Sequence, residues 1–144
     1  MASVTQPSRF GLAGKGGVRA LVQDGTDPER MYAATGAAGM WRSEDGGRTW
    51  REINQGIVYK EGWSLVQQPR TGELYYGCGP TSVYRSADGG DSWEDFASIR
   101  ALPTTKEWYF PTPPHISHIR HIGLFHDNPQ EQDRFLSMVR GSRR

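Results

Sequence analysis

Short runs of alternating apolar and polar residues recur along most of the chain, separated by Gly, Pro, Asp and Asn. Runs of this kind, rich in Val, Tyr and Trp, are typical of β-strands joined by turns. The pattern predicts two consecutive antiparallel meanders of four strands each and the start of a third. The predicted strands are 18–23, 31–35, 40–43 and 50–53, then 63–67, 74–77, 82–86 and 93–96, then 118–124 and 134–139.

Both meanders end in the same octapeptide pattern, Ser-x-Asp-x-Gly-x-Thr/Ser-Trp, at 43–50 and 86–93. The final residues of the two copies, Trp50 and Trp93, are 43 residues apart. A repeat of this length, with four strands in each copy, indicates blades of a β-propeller. The same offset links Tyr32 to Tyr75, Trp41 to Tyr84 and Arg42 to Arg85.

The two octapeptides resemble the Asp-box, also called the bacterial neuraminidase repeat, of the sialidase-like propeller superfamily. The resemblance covers 18–96 and, more weakly, 118–139. It implies an all-β fold, here a partial β-propeller of about two and a half four-stranded antiparallel blades. Members of the superfamily include sialidases, xyloglucanases, sortilin-type receptors and a photosystem II assembly factor, so the resemblance implies a fold more strongly than an activity.

Each octapeptide has the chemistry of a hairpin turn. Asp45 can accept hydrogen bonds from nearby amides, Gly47 can supply a positive φ, and Ser43 can add a further local bond. The indole of Trp50 offers a large apolar surface to bury beside the turn. A catalytic or calcium-binding role is disfavoured, because an aspartate repeated in each blade cannot mark one site and the spacing offers few oxygen ligands. The equivalent structural residues of the second copy are Ser86, Asp88, Gly90 and Trp93.

The repeat divides the chain into segments, and the segment 141–144 carries no strand pattern of its own. Since propellers close with four to eight blades, an incomplete array leaves three alternatives open. The chain is a fragment of a longer protein, a protomer whose self-association completes the ring, or a naturally short product. The predicted segments are a flexible lead-in or remnant strand at 1–17, blade 1 at 18–61, blade 2 at 62–96, an inserted aromatic and Pro-rich loop at 97–117, and a partial blade 3 at 118–144.

Binding residues are expected on the face opposite the octapeptide turns. The inserted loop brings adjacent aromatics, Trp108 and Tyr109, ahead of a proline segment that ends at His115. Such rings suit sugar stacking or a protein contact, although they could equally fill the gap between blades. Trp63, at the start of an inner strand, invites the same two interpretations.

Histidines at 115, 118 and 121 do not predict a metal site, because a spacing of three does not keep side chains on one side of a strand. His118 and Arg120 would instead point together, where they could bind an anionic group or form a solvated strand end. No metal and no other cofactor is predicted.

A glycosidase needs two carboxylates across the bond that it cleaves, and the weak candidates on the expected face are Glu61 and Glu107. The arginine motif of the sialidases is not recognisable at 7–10. We therefore expect a non-catalytic scaffold for a protein or carbohydrate ligand. The alternative is a fragment of a secreted glycoside hydrolase of sialidase or xyloglucanase type.

Composition narrows the range of partners. The 144 residues carry a formal charge of +1, which gives no electrostatic basis for binding nucleic acid or an acidic membrane. No apolar run is long enough to span a membrane, and the first residues do not form a signal-peptide pattern. The single cysteine, Cys78, excludes an internal disulfide and leaves the compartment undetermined, with a secreted parent still compatible.

Overall fold

The computed structural model describes residues 15–96, 101, 103, 108–109, 116–124, 135–140 and 142–143. These residues form strands, turns and connections, without an α-helix in the described ranges. The predicted all-β class is therefore confirmed. The strands are β1 Val18–Gln23, β2 Met31–Thr35, β3 Gly39–Ser43, β4 Arg51–Glu52, β5 Glu61–Gln67, β6 Leu74–Gly79, β7 Ser82–Ser86, β8 Glu94–Asp95, β9 Trp108–Tyr109, β10 His118–Leu124, β11 Phe135–Arg140 and β12 Ser142–Arg143.

Two four-stranded antiparallel sheets follow each other along the chain, ordered β1-β2-β3-β4 and β5-β6-β7-β8. We call them sheet 1 and sheet 2. Each strand pairs with its sequence neighbour, as in the predicted meanders, and β1 and β5 are the first strands of their sheets. Local polar residues shape the turns, since the Asp24 carboxylate accepts hydrogen bonds from the amide and hydroxyl of Thr26 at 2.8 Å.

The third repeat departs from the prediction at its end. β10 pairs with β11 in antiparallel register, close to the expected strands. β12, at Ser142–Arg143, pairs with β9, at Trp108–Tyr109. A short strand therefore lies at 142–143, although 141–144 carry no strand pattern of their own, and the inserted segment contains its partner strand. Pairing between distant segments supplies backbone hydrogen bonds that a local apolar pattern does not reveal.

A continuous apolar core joins sheet 1 to sheet 2. Its largest fully buried members are aromatic and come from both sheets: Tyr32, Tyr76 and Tyr84. The Tyr76 hydroxyl donates to the carbonyl of Tyr59 at 3.1 Å, and the Tyr84 hydroxyl accepts from the amide of Val58 at 3.3 Å. Buried hydroxyls thus fix the connection between the two sheets while their rings fill the interface.

A second core joins sheet 2 to β10. Tyr75 and Val83 pack here against Ile119 and Ile122, all nearly inaccessible to solvent. A Cβ added to Gly77 would lie 2.7 Å from Ile119 Cγ2, so glycine permits the close approach of the two sheets. The first strands β1, β5 and β10 contact one another in series, which brings their starting ends together.

Within the described residues, no helix has the length and hydropathy needed to cross a membrane.

Candidate functional site

The octapeptides 43–50 and 86–93, called here the aspartyl turns, are closed by their own side chains. In the first, Asp45 accepts hydrogen bonds from the Thr49 amide at 2.8 Å and from the Thr49 hydroxyl. The Ser43 hydroxyl donates to Asp45 and accepts from the Gly47 amide, both at 2.8 Å. The hydrogen bond from the Thr49 hydroxyl is the main cause that lowers the pKa of Asp45 to about 2. The carboxylate is thus engaged as the acceptor that closes the turn.

The second aspartyl turn repeats these bonds. Asp88 accepts from the Ser92 amide at 2.9 Å and from its hydroxyl, which is the main cause that lowers the pKa of Asp88. The Ser86 hydroxyl donates to Asp88 at 2.8 Å and accepts from the Gly90 amide at 2.9 Å. The local geometry of the two turns is therefore the same.

The tryptophans that end the turns differ in what they contact. Trp50 Nε1 donates to the carbonyl of Gly47 in its own turn at 2.9 Å. Trp93 Nε1 donates at 2.9 Å to the carbonyl of Ile53 in the preceding repeat. At this contact between sheet 1 and sheet 2, the buried Arg42 guanidinium of sheet 1 donates to the carbonyl of Gly89 at 2.6 Å. Gly89 lies inside the second aspartyl turn. The second turn therefore fastens sheet 2 to sheet 1.

The opposite ends of the inner strands carry a different repeated feature, a β-bulge in each first strand. The register skips one residue in β1, in β5 and in β10 relative to the neighbouring strand. The skipped residues are Arg19, Trp63 and Arg120, each four residues before the last residue of its strand. A bulge turns a side chain out of the regular alternation of a strand.

The three bulge side chains meet. The guanidinium carbon of Arg19 lies 3.8 Å from the ring centroid of Trp63, and that of Arg120 lies 5.2 Å from it. Both distances are within the range of cation–π attraction. Two further side chains complete the group, so that the bulge cluster consists of Arg19, Glu61, Trp63, His118 and Arg120.

Both faces of the Trp63 indole are covered. The His118 ring stacks on it with centroids 3.8 Å apart and an interplanar angle of 14°. Since the Arg19 guanidinium is equally close to the ring centre, the two groups must lie on opposite faces. Trp63 Nε1 also donates to Glu61 Oε1 at 3.1 Å. The indole therefore serves as an internal support, and its faces are occupied by protein groups.

Charge and exposure vary across the bulge cluster. His118 is buried, and this burial is the main cause that lowers the pKa of its imidazole, so the ring is neutral at pH 7. Arg19 and Glu61 form an ion pair at 3.8 Å, with side chains 32% and 45% exposed, and Arg120 is exposed. Two guanidinium groups and one carboxylate are thus accessible from solvent.

Gly79, the last residue of β6, lies against the cluster. A Cβ at this position would lie 3.1 Å from His118 Cβ and 3.4 Å from Trp63 Nε1. The backbone of β6 therefore approaches the stacked rings closely, and a larger residue would displace them.

The structure brings together four of the residues singled out in the sequence, Glu61, Trp63, His118 and Arg120. His118 and Arg120 both lie beside Trp63, but the bulge at Arg120 interrupts the regular alternation from which they were expected to point together. Arg19 was missed. The matching Leu-Val-Gln segments at 21–23 and 65–67 could have identified it, because they align Arg19 with Trp63.

The remaining predicted site residues are not part of the described cluster. Trp108 and Tyr109 form β9, paired with β12. Glu107 and His115 lie outside the described residues, so their predicted roles stay predictions. The described residues contain no group of three or more His, Cys, Asp or Glu side chains arranged to hold a metal ion.

Comparison with known proteins relates the fold to propellers of glycoside hydrolases. No protein-family model matches the chain, and no curated protein matches it. An ancestral GH74 enzyme of known structure superposes with a TM-score of 0.58 and 19% identity, over 89% of this chain and 14% of its own length. The GH74 xyloglucanase from Xanthomonas campestris gives a TM-score of 0.60 and 15% identity, over 84% of this chain and 18% of its own length.

These neighbours are propellers, and the chain is accordingly an all-β partial β-propeller. It spans less than a fifth of the length of either structure. Sheets 1 and 2 are successive blades, and β10 and β11 begin a third.

Proposed function

We propose that this chain is a non-catalytic glycan-binding module of a propeller, and that its ligand carries an anionic group bound at the bulge cluster. One observation carries the proposal: guanidinium groups from two different blades, Arg19 and Arg120, lie against one indole and both reach solvent. Strands of a rigid scaffold, in contrast to loops, hold both groups in place.

Charge favours an anion at this position. The carboxylate of Glu61 balances one of the two arginines, and neutral His118 adds no charge, which leaves one positive charge in excess. Guanidinium groups bind carboxylates and sulfates through paired hydrogen bonds, with defined geometry. The Trp63 faces, which would attract a neutral sugar ring, are already covered. An acidic sugar unit therefore fits the cluster better than a neutral one.

The choice of a glycan over a protein is supported by the structural neighbours, which are named as GH74 enzymes and, in one case, as a xyloglucanase. The resemblance of the aspartyl turns to the Asp-box points in the same direction. The aromatic residues Trp108 and Tyr109 are proposed as a second contact region, on the segment that separates blade 2 from the third repeat.

The alternative function is a fragment of a glycoside hydrolase in which Glu61 is one of the two carboxylates. Glu61 accepts a hydrogen bond from Trp63 and pairs with Arg19, and these contacts hold its carboxylate in a fixed position. Hydrolysis of a glycan by the longest gene product, lost in Glu61→Gln and in Glu107→Gln, would establish this alternative. Hydrolysis that persists in both variants would show that neither glutamate is a catalytic residue.

The proposed function is tested by isothermal titration with trigalacturonate, using a neutral xyloglucan oligosaccharide of similar size as the comparison. We expect binding of the acidic trimer that weakens with added salt, because the charges are exposed. Arg120→Glu and Arg19→Glu should each weaken it by about tenfold or more.

Arg48→Glu is the matched control, since Arg48 is exposed and lies in the first aspartyl turn, away from the cluster. It makes the same change of charge and should leave affinity within about twofold. Equal losses for all three variants, or a preference for the neutral oligosaccharide, would contradict the proposal. Binding of an acidic peptide in place of the trimer would assign the site to a protein ligand.

A further inference from the structure

The bulge occurs at the same place in the first strand of each repeat, although the residue in it changes from Arg to Trp to Arg. Around it, the inner strands are alike: Leu21-Val22-Gln23 is repeated as Leu65-Val66-Gln67. The β-bulge is thus constant across the repeats, while the side chain of the bulge residue varies.

A regular strand could not present these side chains. Its residues alternate between two faces, and in β5 both faces are covered. Leu65 packs in the core shared with sheet 1, and the Ser64 hydroxyl donates to the Ile119 carbonyl of β10 at 2.8 Å. Only the extra residue of the bulge is released from this alternation, and it projects from the edge of the sheet towards the other inner strands.

The tryptophan at the middle bulge is fixed from several sides. Glu61 accepts its N–H, His118 covers one face, and the backbone at Gly79 approaches its edge. What remains is the contact with the two guanidinium groups, at 3.8 and 5.2 Å from the ring centroid. A rigid ring in this position limits the orientations of two long and otherwise mobile side chains.

We infer that Arg19 and Arg120, the bulge residues of β1 and β10, are the specificity-determining positions of their blades. We infer further that Trp63, the bulge residue of β5, is a positioning residue that aligns these two arginines for an anionic ligand. The inference rests on the proposed function and adds the division of roles: two bulges contact the ligand, and the bulge between them orients those contacts.

The positioning role is tested with Trp63→Phe and Trp63→Leu, titrated with trigalacturonate. The phenylalanine keeps an aromatic face and should bind within about threefold of the wild type. The leucine keeps apolar volume without an aromatic face, and we expect a loss of about tenfold. In the NMR spectrum, the side-chain signals of both arginines should show ring-current shifts in the wild type and in Trp63→Phe, and lose them in Trp63→Leu.

Specificity is tested at Arg120. Arg120→Glu makes the net charge of the cluster negative, so it should bind the cationic glucosamine trimer better than the wild type does, with Arg48→Glu unchanged.

If Trp63→Leu binds like Trp63→Phe while the arginine variants lose affinity, the positioning role is wrong and the proposed function stands. If charge reversal at Arg19 and Arg120 leaves trigalacturonate binding intact, the proposed function itself fails. A glucosamine trimer bound no better by Arg120→Glu would overturn the specificity role.

Discussion

The aspartyl turns and the bulge cluster lie at opposite ends of the blades and repeat in different ways. In the turns, the polar residues and their hydrogen bonds are the same in both copies, since Asp45 and Asp88 accept equivalent bonds. In the cluster, the backbone irregularity is the same, but its residues differ. Repeated chemistry marks the end that builds the blade, and repeated geometry with varied side chains marks the end at which we propose recognition.

The two ends should also contribute to different free energies, the turns to that of unfolding and the cluster to that of ligand binding. The turn residues form hydrogen bonds with one another or with the neighbouring blade, and their loss should lower the stability of the fold. The cluster leaves guanidinium groups accessible, and their loss should lower affinity. Experiments that measure both quantities can therefore test whether the two ends are as distinct as we describe.

The largest effect is expected for Trp93→Ala, which removes a buried indole from the interface between blades. We expect a loss of about 3–5 kcal/mol in the free energy of unfolding, measured with urea. Trp93→Phe keeps most of the apolar area but loses the bond to the Ile53 carbonyl, and should cost about 1 kcal/mol. Affinity for trigalacturonate, measured where both variants are folded, should not change. A small loss of stability in Trp93→Ala would place the ring outside the core.

A smaller effect is expected for Arg42→Ala, compared with the equivalent Arg85→Ala. Arg42 is 6% exposed and bonds to Gly89 and Asp91 of the next blade, so its loss should cost about 1.5–3 kcal/mol. Arg85 is more exposed and pairs with Glu73 within its own repeat, and its loss should cost less than about 1 kcal/mol. Equal costs in urea denaturation would show that the bond between blades contributes no more than the local pair.

The smallest effects are expected from titration, where the two ends should lose stability in different pH ranges. A lowered pKa in the folded state means that the stability contribution is present above the unfolded pKa and declines as pH falls below it. For Asp45, with a folded pKa of about 2, this range runs from about 4 down to about 2. For buried His118 the decline begins below about 6.5.

Thermal melting between pH 7.5 and 2.5 should therefore show two declines. Asp45→Asn should reduce the acidic one, and His118→Asn should reduce the one that begins near neutrality. A single decline unaffected by His118→Asn would show that protonation of this ring is not linked to folding.

The strands of both complete blades could be predicted from sequence, because their alternation and their turn residues are local. The Asp45 and Asp88 turns were predictable for the same reason, since an Asp followed by glycines specifies its own hydrogen bonds. Of the candidate site, His118 and Arg120 were singled out from their spacing on one strand, but the bulge at Arg120 breaks the alternation on which that argument rested.

The remaining parts depend on contacts between distant segments. A bulge leaves one residue out of the regular pairing, and the meeting of Arg19 with Trp63 across two sheets did not follow from the apolar pattern of either strand alone. The covered faces of Trp63 require residues from three strands, which only the packed structure assembles. The pairing of β9 with β12 links segments over thirty residues apart in sequence.

The separation of the two ends is tested most directly by NMR chemical-shift mapping during a titration with trigalacturonate. We predict that the side-chain N–H signals of Arg19, Arg120 and Trp63 move in a saturable manner while the amides of Thr49 and Ser92 stay in place. Saturable movement of the Thr49 and Ser92 amides, with the bulge signals unchanged, would assign recognition to the aspartyl turns and contradict this account.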